Sequence, residues 1–279
     1  MGRTDNNNRR NTGKKEGPFG KKGFTGRSTP PKKKTSPKTA ADSGLTRLNK
    51  YIANSGVCSR RDADVYIAAG NVSVNGKTIT EMGFKVKKGD VVKFDNRILN
   101  PEKKEYILLN KPKNFITTTS DEKGRRTVME LISNATKARL VPVGRLDRNT
   151  TGLLLFTNDG DLAKTLTHPK HGVRKIYHVE LNKNLKQADL KQIQSGLTLD
   201  DGEIKVDEIS YIANAPKKEV GIEIHSGRNR IVRRIFEHLE YSVIKLDRVI
   251  FAGLTKKDLP RGHWRPLTKQ EVINLGMIK

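Results

Sequence analysis

Four consecutive apolar residues, Leu153 to Phe156, follow a polar segment that holds the carboxylate of Asp147 between Arg145 and Arg148. An apolar run of this length, bounded by polar residues, predicts a buried strand. Two acidic residues come next, in the order Asn-Asp-Gly-Asp, and we expect them to start a helix because carboxylates favour the positive end of the helix dipole. Taken alone, the loop that carries Asp147 fits either surface ion pairs, which are nearly neutral energetically, or a catalytic group.

The charge of the chain narrows the choice of partners. Its 55 Lys and Arg outnumber its 30 Asp and Glu, which gives a formal net charge of +25 and a pI near 10.1. This balance is too basic for a typical metabolic enzyme and favours a polyanion, nucleic acid ahead of an anionic membrane surface. The longest apolar runs fall far short of the roughly 20 residues of a membrane span, so we expect no membrane partner.

Residues that bind metals are sparse. The single cysteine, Cys58, excludes an internal disulfide and a cysteine-cluster zinc site, and it fits a reducing compartment. We interpret the one close histidine pair, His168 and His171, as coincidental or phosphate-facing. The start of the chain has neither an apolar signal segment nor a myristoylation pattern. We therefore predict a cytoplasmic protein without a metal, an export signal or a lipid anchor.

Residues 1–44 form the first of three segments. Residues 1–40 hold 12 Lys and Arg against Asp5 and Glu16, and the remainder is mostly Gly, Pro, Ser, Thr and Asn. Such a composition buries too little apolar surface to offset the entropy of ordering, which predicts a disordered basic arm. The arm is either a solvated tail without function or a source of nonspecific RNA affinity through phosphate neutralisation.

Residues 45–95 have the pattern of a small folded module. Thr46 is a candidate cap for a first short helix, and Ser59 with Asp62 forms a capping-box pattern for a second one. A hairpin follows over 72–79, with Asn75-Gly76 as a type I′ turn, and 91–94 adds a further strand. The order is therefore helix, helix, hairpin, strand.

A polar linker over 96–104 precedes the largest segment, 105–279. Strands and short helices alternate there, so we predict an α+β domain with a mostly antiparallel, mixed sheet. The predicted strands are 106–110, 176–181, 204–212 and 220–225, and the predicted helices are 161–166, 185–194, 229–240 and one capped by Thr268 and Glu271. No phosphate loop, dinucleotide fingerprint or methyl-donor motif is present.

Several of these motifs match one family. Four stretches resemble motifs of the bacterial ribosomal RNA pseudouridine synthases. They are residues 143–160, Leu109-Asn110-Lys111-Pro112, Lys175-x-Tyr177 and the basic stretch 227–234. An S4-like RNA-binding domain is resembled by three further stretches, residues 47–51, 59–61 and 72–76. Two positions depart from the family pattern. Ile231 stands where the family often has a polar residue, and Asn114 stands where the family usually has Gly, although Asn tolerates left-handed backbone angles better than most residues.

The resemblance implies conversion of a uridine in RNA to pseudouridine without any cofactor. It implies that Asp147 is the catalytic aspartate, with Arg233 as its basic partner and Tyr177 stacking on the flipped uracil. Whether Asp147 attacks the sugar, attacks the base or removes a sugar proton stays open. Arg145 and Arg148, which flank the aspartate, are structural or grip RNA. The candidate RNA-binding residues are Arg47, Lys50, Arg60, Arg61, Arg145, Arg148, Arg228 and Arg230.

We therefore predict a cytoplasmic, monomeric ribosomal RNA pseudouridine synthase whose partner is ribosomal RNA or an assembly particle. Residues 259–268 are most similar to the ending of the large-subunit enzymes, which favours 23S over 16S RNA. One alternative is a noncatalytic S4-like ribosome assembly or translation factor. The other is an RNA methyltransferase, which the missing methyl-donor motif disfavours.

Overall fold

The helix–helix–hairpin order predicted for the small module is present in the computed structural model, which describes residues 44–278. The predicted arm, apart from residue 44, lies outside the described residues. Ser59 accepts a hydrogen bond from the Asp62 amide and Asp62 accepts one from the Ser59 amide, which confirms the capping box. Asn75 and Gly76 both have positive φ, as a type I′ turn requires.

One detail of the module differs from the prediction. Thr46 does not cap the first helix, because it pairs with Val86 in a short strand and the helix begins only after Arg47. The buried core of the module joins both helices to the strands, with Leu48, Ile52 and Ile67 at its centre. The elements are β1 (Leu45–Arg47), α1 (Leu48–Asn54), α2 (Arg60–Ala68), β2 (Val72–Val74), β3 (Lys77–Thr78), β4 (Lys85–Lys87), β5 (Val92–Phe94) and β6 (Arg97–Ile98).

The larger segment is built on one mixed sheet of nine strands. Its strands are β7 (Tyr106–Lys111), β8 (Val141–Pro142), β9 (Thr151–Thr157), β10 (Lys175–Leu181), β13 (Glu208–Tyr211), β14 (Glu219–Ile224), β15 (Val243–Phe251), β16 (Leu254–Thr255) and β17 (Trp264–Pro266), while β11 (Leu197–Leu199) and β12 (Gly202–Ile204) form a separate hairpin. The helices are α3 (Gly160–Thr167), α4 (Gln187–Ser195), α5 (Ile231–His238) and α6 (Lys269–Gly276), with 3₁₀ turns at Glu130–Ile132 and Pro169–His171.

The strand order is β13-β14-β10-β15-β9-β7-β17, and every pairing in it is antiparallel except that of β15 with β9. The predicted α+β class and mostly antiparallel sheet are thus confirmed. The predicted strand over 204–212 is wrong, because this stretch contributes to two strands of different sheets, β12 and β13, with a break between them.

The sheet carries an apolar core on each face, because successive side chains of a strand point to opposite sides. In β9, Leu154 and Phe156 belong to the larger core, which includes Tyr177 and α5. Leu153 and Leu155 belong to the other core, under α3. A strand buried on both faces explains why 153–156 is apolar without alternation. None of the helices among the described residues is long and apolar enough to cross a membrane.

Candidate active site

Asp147 lies in the loop that joins β8 to β9, and the main chain of this loop is held from outside. The buried side chain of Lys111, at the end of β7, extends under the loop, and its Nζ donates to the carbonyl oxygens of Asp147 at 3.1 Å, Arg148 at 3.3 Å and Thr150 at 2.9 Å. The backbone N–H of Asn114 donates to the Arg148 carbonyl at 2.9 Å. Strand β7 and the turn after it therefore fix the position of the main chain that carries the Asp147 carboxylate.

The turn at Asn114 explains a departure from the family pattern. Asn114 has φ +70°, the left-handed conformation that glycine adopts most readily. The expectation that Asn preserves this turn is confirmed. Its amide then reaches the Asp147 loop, so the backbone conformation at this position has a direct effect on the site.

Two arginines of the α5 region face the carboxylate. Nη1 of Arg230 lies 3.6 Å from Oδ2 of Asp147, and Nε of Arg233 lies 3.9 Å from the same oxygen. The Arg233 side chain is only 11% exposed, and its Nη1 donates to the Val243 carbonyl at 2.8 Å, whereas Arg230 is 46% exposed. Burial, followed by the charge of Arg230, lowers the pKa of Arg233 from its ordinary value.

The sequence analysis predicts that Arg230 binds RNA and says nothing of a contact with the aspartate. Arg230 immediately precedes α5 and has φ +47°, a backbone conformation that is uncommon for a residue other than glycine. This conformation turns the chain into the helix and brings Arg230 and Arg233, three residues apart, to one face. Arg230 belongs to the basic stretch 227–234 that the sequence analysis identified, but the spacing of that stretch does not show which of its arginines contact Asp147.

A cavity of about 180 Å³ opens beside the carboxylate. Tyr177, from β10 in the middle of the sheet, is almost fully buried and forms part of the wall. Arg145, Arg228 and Arg230 also line it, whereas Arg148 is exposed and lies outside the lining. The structure therefore brings together Asp147, Tyr177 and Arg233, the three predicted catalytic residues. Asp147 and Tyr177 line the cavity, whereas Arg233 contacts the carboxylate but is not part of the lining.

Two further cations line the cavity, and the sequence analysis assigned a role to neither of them. Lys175, at the start of β10, donates to the carbonyls of Val173 and His225 at 3.0 and 2.8 Å, and so ties the strand to the loop before α5. Burial, together with the charge of Arg248, lowers the pKa of Lys175 to about 8. Burial likewise lowers the pKa of Lys111 to about 8. Arg248, on β15, is the second cation in the cavity wall, and unlike Lys175 it is buried.

The four candidate RNA-binding residues of the small module lie away from the cavity lining. Arg47, Arg60 and Arg61 are exposed. Lys50 is bonded to Asp161 in the first turn of α3 at 2.7 Å, so this lysine is already paired within the protein. Asp159 caps α3 by accepting hydrogen bonds from two backbone amides, which confirms the prediction that the acidic pair starts a helix.

No metal site accompanies this arrangement in the described part of the chain, where no three His, Cys, Asp or Glu side chains are close enough to hold an ion. His168 caps the 3₁₀ turn that ends at His171, and their ring centres lie 6.0 Å apart. The chemistry that the cavity offers is one carboxylate beside two guanidinium groups, an aromatic wall and buried positive charge.

Comparison with known families defines the class of protein. Residues 105–238 match the RNA pseudouridylate synthase family, and residues 46–92 match the S4 domain. A solved structure described as a pseudouridylate synthase superposes with a TM-score of 0.59 at 28% identity, over 82% of this chain and 99% of that one. The S4 domain and the large mixed sheet thus have the architecture of an RNA-modifying isomerase.

Relatives along most of the length place the chain more closely. Ribosomal large subunit pseudouridine synthase B of Bacillus subtilis is 39% identical over 234 residues, which cover 83% of this chain and 96% of the relative. Dual-specificity RNA pseudouridine synthase RluF of Escherichia coli K12 is 36% identical over 236 residues, 82% of this chain and 78% of the relative. The chain belongs to the RNA pseudouridylate synthase family and is an enzyme that isomerises uridine in RNA to pseudouridine.

Proposed function

We propose that this enzyme modifies one uridine of ribosomal RNA, in the large-subunit 23S molecule, and that Asp147 is the catalytic carboxylate. The observation that carries the proposal is the placement of Asp147, 37% exposed, at the cavity with Arg230 and Arg233 within 4 Å of one of its oxygens. The Bacillus relative is named for the large ribosomal subunit, which supports the choice of 23S RNA.

The roles of the site residues follow from their positions. In the reaction the bond from N1 of uracil to the sugar breaks, the base rotates, and C5 takes over the bond to the sugar while losing its hydrogen. Arg233 and Arg230 lie within 4 Å of one carboxylate oxygen and orient the Asp147 side chain by charge attraction. Tyr177 presents an apolar ring for stacking and a hydroxyl for proton transfer.

RNA is held by charge outside the cavity. Arg145, Arg228 and Arg230 at the rim, with Arg148 on the same loop, are placed to contact the phosphates that flank a flipped nucleotide. Arg47, Arg60 and Arg61 of the S4 domain are exposed and available for further phosphate contacts, and Lys50 becomes available if its bond to Asp161 opens. The cytoplasm, where ribosomal RNA resides, is the proposed location, and the monomeric state stays a prediction.

Tritium release from RNA tests the proposal in vitro. Transcripts of 23S and 16S RNA carry tritium at C5 of uridine, and each pseudouridine formed releases one label. The wild-type protein should release label from 23S RNA, and Asp147→Asn should lower the rate more than about a thousandfold while RNA affinity stays within a few-fold. Retained release by Asp147→Asn would remove Asp147 from the catalytic role.

Asp258→Asn is the matched control, because Asp258 is an exposed carboxylate with positive φ that Asn also adopts, and it lies outside the cavity lining. It should keep the wild-type rate. Tight binding of wild type to 23S RNA without any release of label would favour the rival function, a noncatalytic assembly or translation factor. Release from 16S RNA alone would contradict the choice of the large-subunit molecule.

A further inference from the structure

Arg248 is a buried cation in the wall of the cavity that holds Asp147. Only 3% of the residue is exposed. Its Nε donates to the Leu153 carbonyl of the neighbouring strand at 2.8 Å, and its guanidinium carbon lies 4.4 Å from the centre of the Phe251 ring. Among residues 44–278 no carboxylate lies within ion-pair distance of it.

One end of this guanidinium is unpaired. Nη2 is buried and has no hydrogen-bond partner among the described residues, although Nε of the same group is bonded. A buried donor that has lost its water and found no acceptor is costly, and native structures keep few of them. Such a group at a binding cavity points to an acceptor that arrives with the ligand.

The sheet places Arg248 next to the residue proposed to stack on the base. Tyr177 on β10 is directly paired with Arg248 on β15, so both side chains project from the same face of the sheet. On its other side Arg248 faces Gly152 of β9, where an added Cβ would lie 2.3 Å from the Arg248 carbonyl oxygen. The glycine lets the two backbones approach closely, which holds Arg248 against the base of the cavity.

We propose that Arg248 is a recognition residue for the target base, donating from Nη2 to a carbonyl oxygen of the flipped uracil. The inference rests on the proposed function, in which the uridine enters the cavity beside Asp147. Uracil has two carbonyl oxygens, O2 and O4, at the edge of the ring. Whenever the bond between N1 and the sugar breaks with its electron pair left on the base, those two oxygens share the negative charge, and a cation without a counter-carboxylate stabilises it.

The neighbouring cation is less suited to this contact. Lys175 already donates to the carbonyls of Val173 and His225. A contact at O4 would also select against cytidine, because cytosine has an amino group at that position and would place one donor against another. A contact at O2 would not discriminate, since both bases have an oxygen there. The choice between O2 and O4 therefore decides whether Arg248 sets base specificity.

Sulfur substitution of the target base tests the contact. A ribosomal RNA fragment that carries the modified uridine is prepared with oxygen, with sulfur at C2 or with sulfur at C4 of that one residue, since sulfur is a weak acceptor. For the wild type, sulfur at the contacted position should lower kcat/KM about tenfold, and sulfur at the other position should change it about threefold or less.

Arg248→Met, which removes every donor, should lower kcat/KM on the oxygen substrate about ten- to a hundredfold and should also lose the sensitivity to sulfur. A purely structural role would lower the rate but leave the sulfur effect unchanged, and that result would overturn the proposal. Arg174→Gln is the matched control, since Arg174 is exposed, pairs with Glu223 and lies outside the cavity lining. It should retain both the rate and the sulfur effect.

The wild-type measurement stands even where a variant fails to fold. If the wild type isomerises the oxygen substrate but neither sulfur position affects kcat/KM, the Arg248 proposal fails while the proposed function remains. If the wild type does not isomerise the oxygen substrate at all, the proposed function itself fails.

Discussion

The two arginines that face Asp147 differ in how firmly they are held. Arg233 is buried and anchored to the Val243 carbonyl, whereas Arg230 is half exposed and also lies 3.5 Å from Glu237. We expect Arg233→Ala to lower kcat about a hundredfold or more and Arg230→Ala about tenfold or less, because a screened, mobile charge orients a carboxylate less strongly. Single-turnover rates with saturating RNA measure this order, and a larger loss for Arg230→Ala would reverse our assignment of the main partner.

At the residue scale, motifs predicted more than composition did. The spacing of Gly-Arg-Leu-Asp, Lys-x-Tyr and the basic stretch assigned Asp147, Tyr177 and Arg233 by resemblance, and the structure brings the three together. Arg248 was not predicted, because in sequence it is one arginine in a strand of mixed character. Its burial depends on Gly152, which reaches it only through the parallel pairing of β9 with β15, while Phe251, three residues further along β15, packs against the guanidinium.

The start of helix α3 supports a prediction about stability without catalysis. The Asp159 carboxylate accepts from the amides of Asp161 and Leu162 and from the Tyr106 hydroxyl, and Lys104 pairs with it at 2.6 Å. Asp159→Ala should lower the free energy of unfolding by about 1–3 kcal/mol, through the lost cap and the unpaired hydroxyl, and leave kcat within about twofold.

Asp161→Ala is the comparison for that variant, because its side chain is 73% exposed and its bond to Lys50 is a surface ion pair. Its effect on the free energy of unfolding should stay below about 1 kcal/mol. Urea denaturation of both variants decides the point. Two results would show that the acidic pair does more than start a helix. One is an equal loss of unfolding free energy in the two variants, and the other is a loss of turnover in Asp159→Ala under conditions where this variant is fully folded.

Lys111, which is buried, and Lys175, which is half-buried, predict a separation of activity from stability at alkaline pH. The ammonium of Lys111 has three N–H donors for the carbonyls of the Asp147 loop, and the neutral amine has two. Because the pKa values of Lys111 and Lys175 are both lowered to about 8, kcat should fall as pH rises through this value.

Stability should not follow the same curve. Between pH 8 and the ordinary lysine pKa the folded chain binds fewer protons at these two groups than the unfolded chain, so their contribution to the free energy of unfolding rises with pH in this window. Rates and thermal midpoints measured together from about pH 7 to 10 test both statements. In Lys111→Arg, whose charge persists, only Lys175 still titrates in this range, so the fall in kcat should become smaller, and an unchanged profile would contradict the role of Lys111.

Local signals predicted the elements whose causes are local. The Asn75-Gly76 turn and the capping boxes at Ser59 and Thr268 depend on neighbours within three or four residues, and all three are present. The predicted helix over 229–240 narrows to Ile231–His238, because Arg230 takes a left-handed conformation that no local pattern announced. Strand β15 was not predicted at all, since its place between β10 and β9 depends on pairings with residues about 65 to 95 positions away.

The charge of the whole chain favours RNA affinity beyond the site. Residues 1–40 carry 12 of the 55 basic side chains against Asp5 and Glu16. Deleting these residues should weaken binding to 23S RNA and flatten the dependence of affinity on salt, because the slope falls by about 0.7 to 0.9 for every phosphate that the protein no longer neutralises. Filter binding between about 50 and 200 mM salt, with kcat as the control, measures both effects. Equal slopes for the full and shortened chains would show that the segment is a solvated tail.

A map of pseudouridines in ribosomal RNA tests the central claim most directly. The map is taken from cells that lack this gene and are complemented with the wild type or with Asp147→Asn. We expect one uridine of 23S RNA to lose its modification in the deletion and to regain it only with the wild-type chain. An unchanged map in the deletion, or a site restored equally by Asp147→Asn, would contradict the account.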